Sequence, residues 1–246
     1  MIKKINIGKL LFVLSVPVVL ISLYLLATRT NQNDICKDIR IKINYKTESP
    51  LLTDAHIYKI LGMPLGKENL IGKSSNALNF NAMEEKLLSY PSIKNAEIYL
   101  GMSGILKMDI TQRHPLLRVM PQSQLGYYIC EDGVKIPLSS NFSPNVIPVT
   151  GFMNDKIDRK LYCIVRFVNN NSFWKEQIQQ LFVSDNQDIS FIPTIGVHEV
   201  ILGDTNNLEK KFNKLDLFYK NGLSKIGWDK YKSINLKYKG QVICKQ

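Results

Sequence analysis

The sequence predicts an α+β protein: an N-terminal transmembrane helix, a small βααββ unit, then a mostly antiparallel β domain with flanking helices. Three observations carry this. The run Leu10–Ala27 is apolar and uncharged, and Lys3, Lys4 and Lys9 precede it. Beyond it, segments of period two and segments of helical period succeed one another in the order strand, helix, helix, strand, strand. From Leu116 onward short strands with turn signals take over, with two further helical stripes among them.

The apolar run is near the minimum length for a spanning helix, roughly 17–25 residues. Ser15, Pro17 and Ser22 do not disqualify it, because Pro and hydroxyl side chains are tolerated inside membrane helices. A cleaved signal peptide is the rival reading, but Leu25-Leu26-Ala27-Thr28-Arg29 offers no small-x-small cleavage site. The expectation is therefore a cytoplasmic tail over 1–9 and a retained anchor over 10–28. The preceding lysines favour a cytoplasmic N-terminus, which places the body in the periplasm. Arg29, Lys37, Arg40 and Lys42 weaken the charge asymmetry, although long folded domains are exported regardless of it.

Ile39-Arg40-Ile41-Lys42-Ile43-Asn44-Tyr45 alternates strictly and predicts a half-buried strand. Thr53 and Asp54 supply capping chemistry for a short helix with Ile57, Ile60 and Leu61 inward, ended by Gly62. Asn81 with Glu84 reads as a capping box for a second helix carrying Met83, Leu87 and Tyr90, which Pro91 stops. Strands Ala96–Leu100 and Ile105–Thr111 then form a hairpin across Gly101-Met102-Ser103-Gly104.

In the second region, Tyr127–Cys130 and Val134–Ile136 read as strands around the Glu131-Asp132-Gly133 turn, and Pro144, Pro148 and Gly151 punctuate the next stretch. Leu161, Ile164, Val165 and Val168 make a helical stripe. Asp188–Ile192 and Val197–Leu202 read as strands. Asn206 is placed to cap a helix with Leu208, Phe212, Leu215 and Tyr219 inward, closed by a left-handed Gly222.

The formal charge of +11 permits nucleic acid, anionic lipid or an acidic protein as partner. The lysines are scattered, with no aromatic interleaving and no recognition-helix pattern, which argues against nucleic acid. Cys36, Cys130, Cys163 and Cys244 show no zinc spacing, and their pairing is not readable; one or two disulfides or buried thiols both fit. His56, His114 and His198 sit in no catalytic motif, and Asp185, Asp188 and Glu199 read as solvated turn acids. No catalytic, cofactor-binding or metal-binding residue is assigned, and an enzyme is not expected.

The closing segment Ile234–Cys244 predicts one long strand. Ile234, Leu236, Tyr238, Val242 and Cys244 alternate with Asn235, Lys237, Lys239, Gln241 and Lys245. It either closes the sheet internally or forms an edge. Being the last element, lysine-lined and interrupted by Gly240, it fits an edge better. An edge can accept an added strand from an acidic partner, with Leu236, Lys237, Tyr238, Lys239, Gly240, Gln241 and Val242 as the contact residues.

Tyr90-Pro91-Ser92-Ile93-Lys94-Asn95-Ala96, followed by Thr111-Gln112-Arg113-His114-Pro115, resembles the end of a POTRA domain in the FtsQ/DivIB family, with Gln112 where an acid is usual. Tyr127–Gly133, Ile147-Pro148-Val149-Thr150-Gly151, Val200-Ile201-Leu202-Gly203 and Ile234-Asn235-Leu236-Lys237-Tyr238 are similar to successive parts of that family's β domain. In the last of these, Asn235 and Lys237 replace Asp and Arg. The resemblance implies a POTRA domain over 35–115 and a β domain over 116–246. It further implies a scaffold at the division septum of the inner membrane that binds FtsB-like and FtsL-like single-pass proteins. Other division proteins would contact the POTRA domain, linking early to late factors and influencing septal peptidoglycan synthesis. Two rivals stay open: a POTRA-bearing export or assembly chaperone, and an anchored cell-wall enzyme.

Overall fold

A computed structural model describes residues 15–24, 35–46, 50–63, 66–122 and 124–246. Residues 15–24 form a helix whose side chains are all exposed. The Ser22 hydroxyl bonds back to the Val19 carbonyl at 2.8 Å, as a hydroxyl within an apolar helix does. The expected tail over 1–9 and the rest of the expected anchor, 10–14 and 25–28, lie outside the described residues. Among the described residues no helix is long and apolar enough to cross a membrane.

The chain divides into two compact units, Met1–Asn44 with Thr53–Thr111, and Tyr45–Leu52 with Gln112–Gln246. In the first, β1 (Asp38–Asn44), β2 (Ile93–Leu100) and β3 (Ile105–Gln112) form a sheet in the order β1-β3-β2, with β1 parallel to β3. Helices α1 (Asp54–Leu61) and α2 (Phe80–Leu88) complete the βααββ order. Ile57, Leu61 and Leu87 of the helices and Ile98, Leu106, Met108 and Ile110 of the strands are buried. Each such side chain contributes about 2 kcal/mol on leaving water.

Two local expectations change here. The cap of α2 is Asn79, whose side-chain Oδ1 accepts the Ala82 N–H at 3.0 Å, while Asn81 lies inside the helix. Glu84 does not reach back to a cap; it accepts the Ile98 N–H at 2.6 Å on β2, an end strand of the sheet. At α1 the cap is Thr53, and its backbone N–H donates to His56 Nδ1 at 3.2 Å, so this histidine serves a helix end.

The second unit carries a nine-stranded sheet in the order β12-β11-β10-β9-β8-β7-β4-β5-β6. Its strands are β4 (Pro115–Pro121), β5 (Tyr127–Cys130), β6 (Lys135–Pro137), β7 (Ile147–Gly151), β8 (Ile178–Val183), β9 (Ile189–Pro193), β10 (Glu199–Gly203), β11 (Ser233–Asn235) and β12 (Ile243–Lys245). Five of the eight pairings are antiparallel. The pairs β4/β7, β7/β8 and β10/β11 are parallel, which makes the sheet mixed.

Helix α3 (Asp155–Asn169) buries Ile157, Leu161, Ile164, Val165 and Val168 in the core. Asn154 caps it, accepting the Ile157 N–H at 2.9 Å. After α4 (Ser172–Gln177), α5 (Leu208–Phe218) places Phe212 in an aromatic cluster, with ring centroids 5.1 Å from Phe167, 4.9 Å from Trp174 and 6.0 Å from Phe191. The residue before α5 is Asn207, not Asn206, and it sits in the left-handed region at φ 53° without a side-chain cap bond. Gly222 does not end the helix either. The chain passes through a π-helical turn, Tyr219–Leu223, and one more α turn, and Gly227 at φ 99° closes it.

Residues 45–46 and 50–52 belong to this unit. The Leu51 and Leu52 amides donate to Gln112 Oε1 at 2.7 and 3.2 Å, and Gln112 is buried. A neutral amide satisfies both donors there without burying a charge, which accounts for a glutamine where the resemblance leads one to expect an acid. All four cysteines are free thiols. Cys36 and Cys130 are buried, and burial pushes the Cys130 thiol up to about 12.

His198 is 1% exposed, and its Nε2 lies 2.8 Å from the Tyr219 hydroxyl. Burial holds its pKa below the usual 6.5, against the opposing pull of the Trp228 carbonyl and the Asp229 carboxylate. The unfolded chain therefore binds this proton more tightly than the folded one. Stability is full above the usual value and is lost as pH falls from it toward the depressed one. The melting temperature should fall as pH drops below about 6.5, and His198→Gln should flatten that slope; parallel slopes would refute the assignment.

Candidate partner-binding site

The segment expected to form one strand over Ile234–Cys244 is instead two short strands and a loop. β11 ends at Asn235, β12 begins at Ile243, and the two pair antiparallel as Ile234 with Cys244 and Asn235 with Ile243. The alternation is the same for a folded-back ribbon as for one long strand, so the pattern did not separate them. Gly240, at φ 74°, adopts the left-handed backbone that allows the reversal. Since β12 ends the sheet order, its outer side has no strand neighbour among the described residues.

The contact residues assigned from sequence all fall in this loop. Leu236 is buried at 1% and Val242 packs partly buried on the core. Lys237, Tyr238, Lys239, Gly240 and Gln241 are exposed.

Helix α5 holds the loop in place. Lys214 Nζ donates to the backbone carbonyls of Leu236, Tyr238 and Gln241 at 3.2, 2.7 and 2.7 Å. One turn back, the buried Lys211 donates to the Leu202 and Asp204 carbonyls at 2.8 and 2.9 Å and pairs with the Asp204 carboxylate at 2.6 Å. That hydrogen bond holds the Asp204 carboxyl below its ordinary range. Burial, and then the Lys211 charge, lowers the Lys214 pKa. Lys237 pairs with Asp188 at 2.5 Å, and this bond raises the lysine's pKa. Asp188, read as a solvated turn acid, is thus a tether for the loop.

Between α5 and the loop lies a groove of about 730 Å³, lined by Lys210, Lys211, Lys214, Lys237 and Lys239, with Asp204 as its carboxylate. Lys210 and Lys239 are exposed and make no ion pair among the described residues. Leu217 and Tyr238, 59% and 49% exposed, offer apolar contact within the same groove. An end strand whose entry loop lines a positive groove with apolar footholds suits an extended segment bearing acids. Sequence reasoning missed Lys210, Lys211 and Lys214. Their spacing put them on one helix side, where lysines ordinarily read as a solvated face.

The remaining titratable groups do other work. His114 Nδ1 stands 3.4 Å from Glu131, which also pairs with Lys46 at 2.9 Å. Asp158 is buried and takes the Tyr127 hydroxyl at 2.8 Å and Lys135 at 2.6 Å, tying α3 to β5 and β6.

Compared with known families, residues 114–245 match the model described as FtsQ/DivIB, C-terminal related, which is more than half of the chain. Residues 34–111 match that of a POTRA-like domain. No curated protein matches the chain.

Proposed function

Because the chain belongs to the FtsQ/DivIB family and so is a POTRA-containing cell-division protein, we propose that it is a non-enzymatic scaffold recruiting small single-pass division proteins through the β12 edge and the lysine groove. The supporting observation is that the loop leading into the edge strand β12 lines a groove holding five lysines and one carboxylate. The partners are FtsB-like and FtsL-like, and the segment that adds to β12 carries acidic residues facing the groove. In this reading 10–28 anchors the chain in the inner membrane with its N-terminus in the cytoplasm, and the body works in the periplasm at the septum. The POTRA domain, 35–115, contacts other division proteins while the β domain, 116–246, takes these partners. The scaffold thereby links early to late factors and governs septal peptidoglycan synthesis.

The test reverses the two unpaired groove charges. Lys210→Glu with Lys239→Glu should weaken co-purification of the FtsB-like and FtsL-like partners at least about tenfold, since two close charge pairs turn repulsive. Added salt should weaken the unaltered complex as well. Unchanged binding by a folded double variant would remove the groove from the interface.

A further inference from the structure

A second cavity, of about 540 Å³, opens on the helical side of the second unit and shares only Asn213 with the lysine groove. Its walls are aromatic and fixed. Trp174 and Tyr219 are 4% and 2% exposed, with ring centroids 5.9 Å apart, and Trp228 stands edge-on to Tyr219 at 5.2 Å. Phe173, edge-on to Trp174 at 4.9 Å, is 45% exposed and presents an open ring. Tyr219 and Lys220 open the π-helical turn, a rare backbone form that is frequent at functional sites.

The rim decides the chemistry of the guest. Asp216 and Lys220 face each other at 2.7 Å, so their charges cancel. Asn171 spends its carbonyl oxygen on the Trp174 N–H at 3.2 Å, which leaves its amide hydrogens to donate, and Asn213 adds a second amide. A charged guest would find no surplus of opposite charge here. A wholly apolar one would leave the amides and the ion pair unmatched as it displaced their water. The surface calls for an uncharged molecule with apolar ring faces and hydroxyl or amide edges. We propose that this cavity binds a neutral pyranose chain, a sugar ring lying against the exposed ring of Phe173 and the half-buried Trp228 above the buried Trp174 and Tyr219, with its hydroxyl or acetamido groups on the polar rim.

The chain's two tryptophans, Trp174 and Trp228, both line the cavity, so their fluorescence reports its occupancy. The full chain in detergent would be titrated with N-acetylchitotetraose and with cellotetraose. At least one should give a saturable change with a midpoint below about 10 mM, the weak range expected for an open sugar site. Phe173→Ala should raise that midpoint about fivefold with unaltered circular dichroism, an aromatic contact being worth about that factor. Moving from low to high salt should shift the midpoint less than about twofold. Absence of saturation with both sugars, an unmoved midpoint in Phe173→Ala, or strong salt dependence would each overturn the proposal.

Discussion

Lys214→Met is expected to weaken partner binding by up to about thirtyfold while leaving the sheet folded. The ammonium gathers three carbonyls of the loop between β11 and β12, and a methionine of similar length fills the space but donates nothing. Hydrogen bonds from a charged donor contribute about 1.5–3 kcal/mol each, but the Tyr238 and Gln241 carbonyls can turn to water once released. The net loss in loop order is then about 2 kcal/mol. If the partner binds only the ordered loop, its apparent affinity falls in proportion to the ordered fraction, by up to about thirtyfold for that loss. Calorimetric titration of the partner segment against both proteins measures it, with hydrogen exchange of Tyr238–Val242 as the structural readout. Tightened exchange, or an unmoved affinity, would count against the staple.

A larger cost in stability attaches to Gly151→Ala. Gly151 ends β7 at φ 107°, a conformation side chains rarely adopt, and it lies opposite Val183 of the parallel neighbour β8. An added Cβ would overlap the Val183 carbonyl oxygen and come within 2.9 Å of its carbon and 3.0 Å of its nitrogen. These are backbone atoms of a central strand, held further by the Phe152 N–H bond to the Val183 carbonyl at 2.9 Å, so they cannot step aside. Backbone strain of about 1–3 kcal/mol and a clash of similar size give a loss of at least about 3 kcal/mol. In a unit of this size that lowers the melting temperature by about 10 °C. Scanning calorimetry would show it, and a shift under a few degrees would mean the two strands separate more readily than their register suggests.

Sequence pattern reached some of these features and not others, for physical reasons. The first unit was readable because its strands alternate cleanly: the isoleucines of Ile39–Ile43 point one way and Arg40 and Lys42 the other, as β1 shows. β8 escaped because Gln179 and Gln180 break its apolar run, and the turn that joins it to β9, Ser184-Asp185-Asn186-Gln187-Asp188, contains neither Gly nor Pro. The α2 cap was misplaced by two residues because Asn79 and Asn81 are equally good acceptors, and only the backbone chooses between them. At the candidate site, the segment assigned from sequence reads as a strand, and its support from α5 does not read at all. A lysine that donates to carbonyls twenty-odd positions later in the chain leaves no periodic trace, since those acceptors are main-chain atoms common to every residue type.

The Glu84 carboxylate on the Ile98 N–H acts as a plug. A stray strand approaching β2 would have to evict a charged acceptor before forming its first bond, and it would then leave that acid without its donor. Where many copies are crowded together, this makes chain-upon-chain growth along that side of the first unit start at a loss. Mistaken polymerisation is discouraged at β2 by one side chain, with no need to shorten the strand.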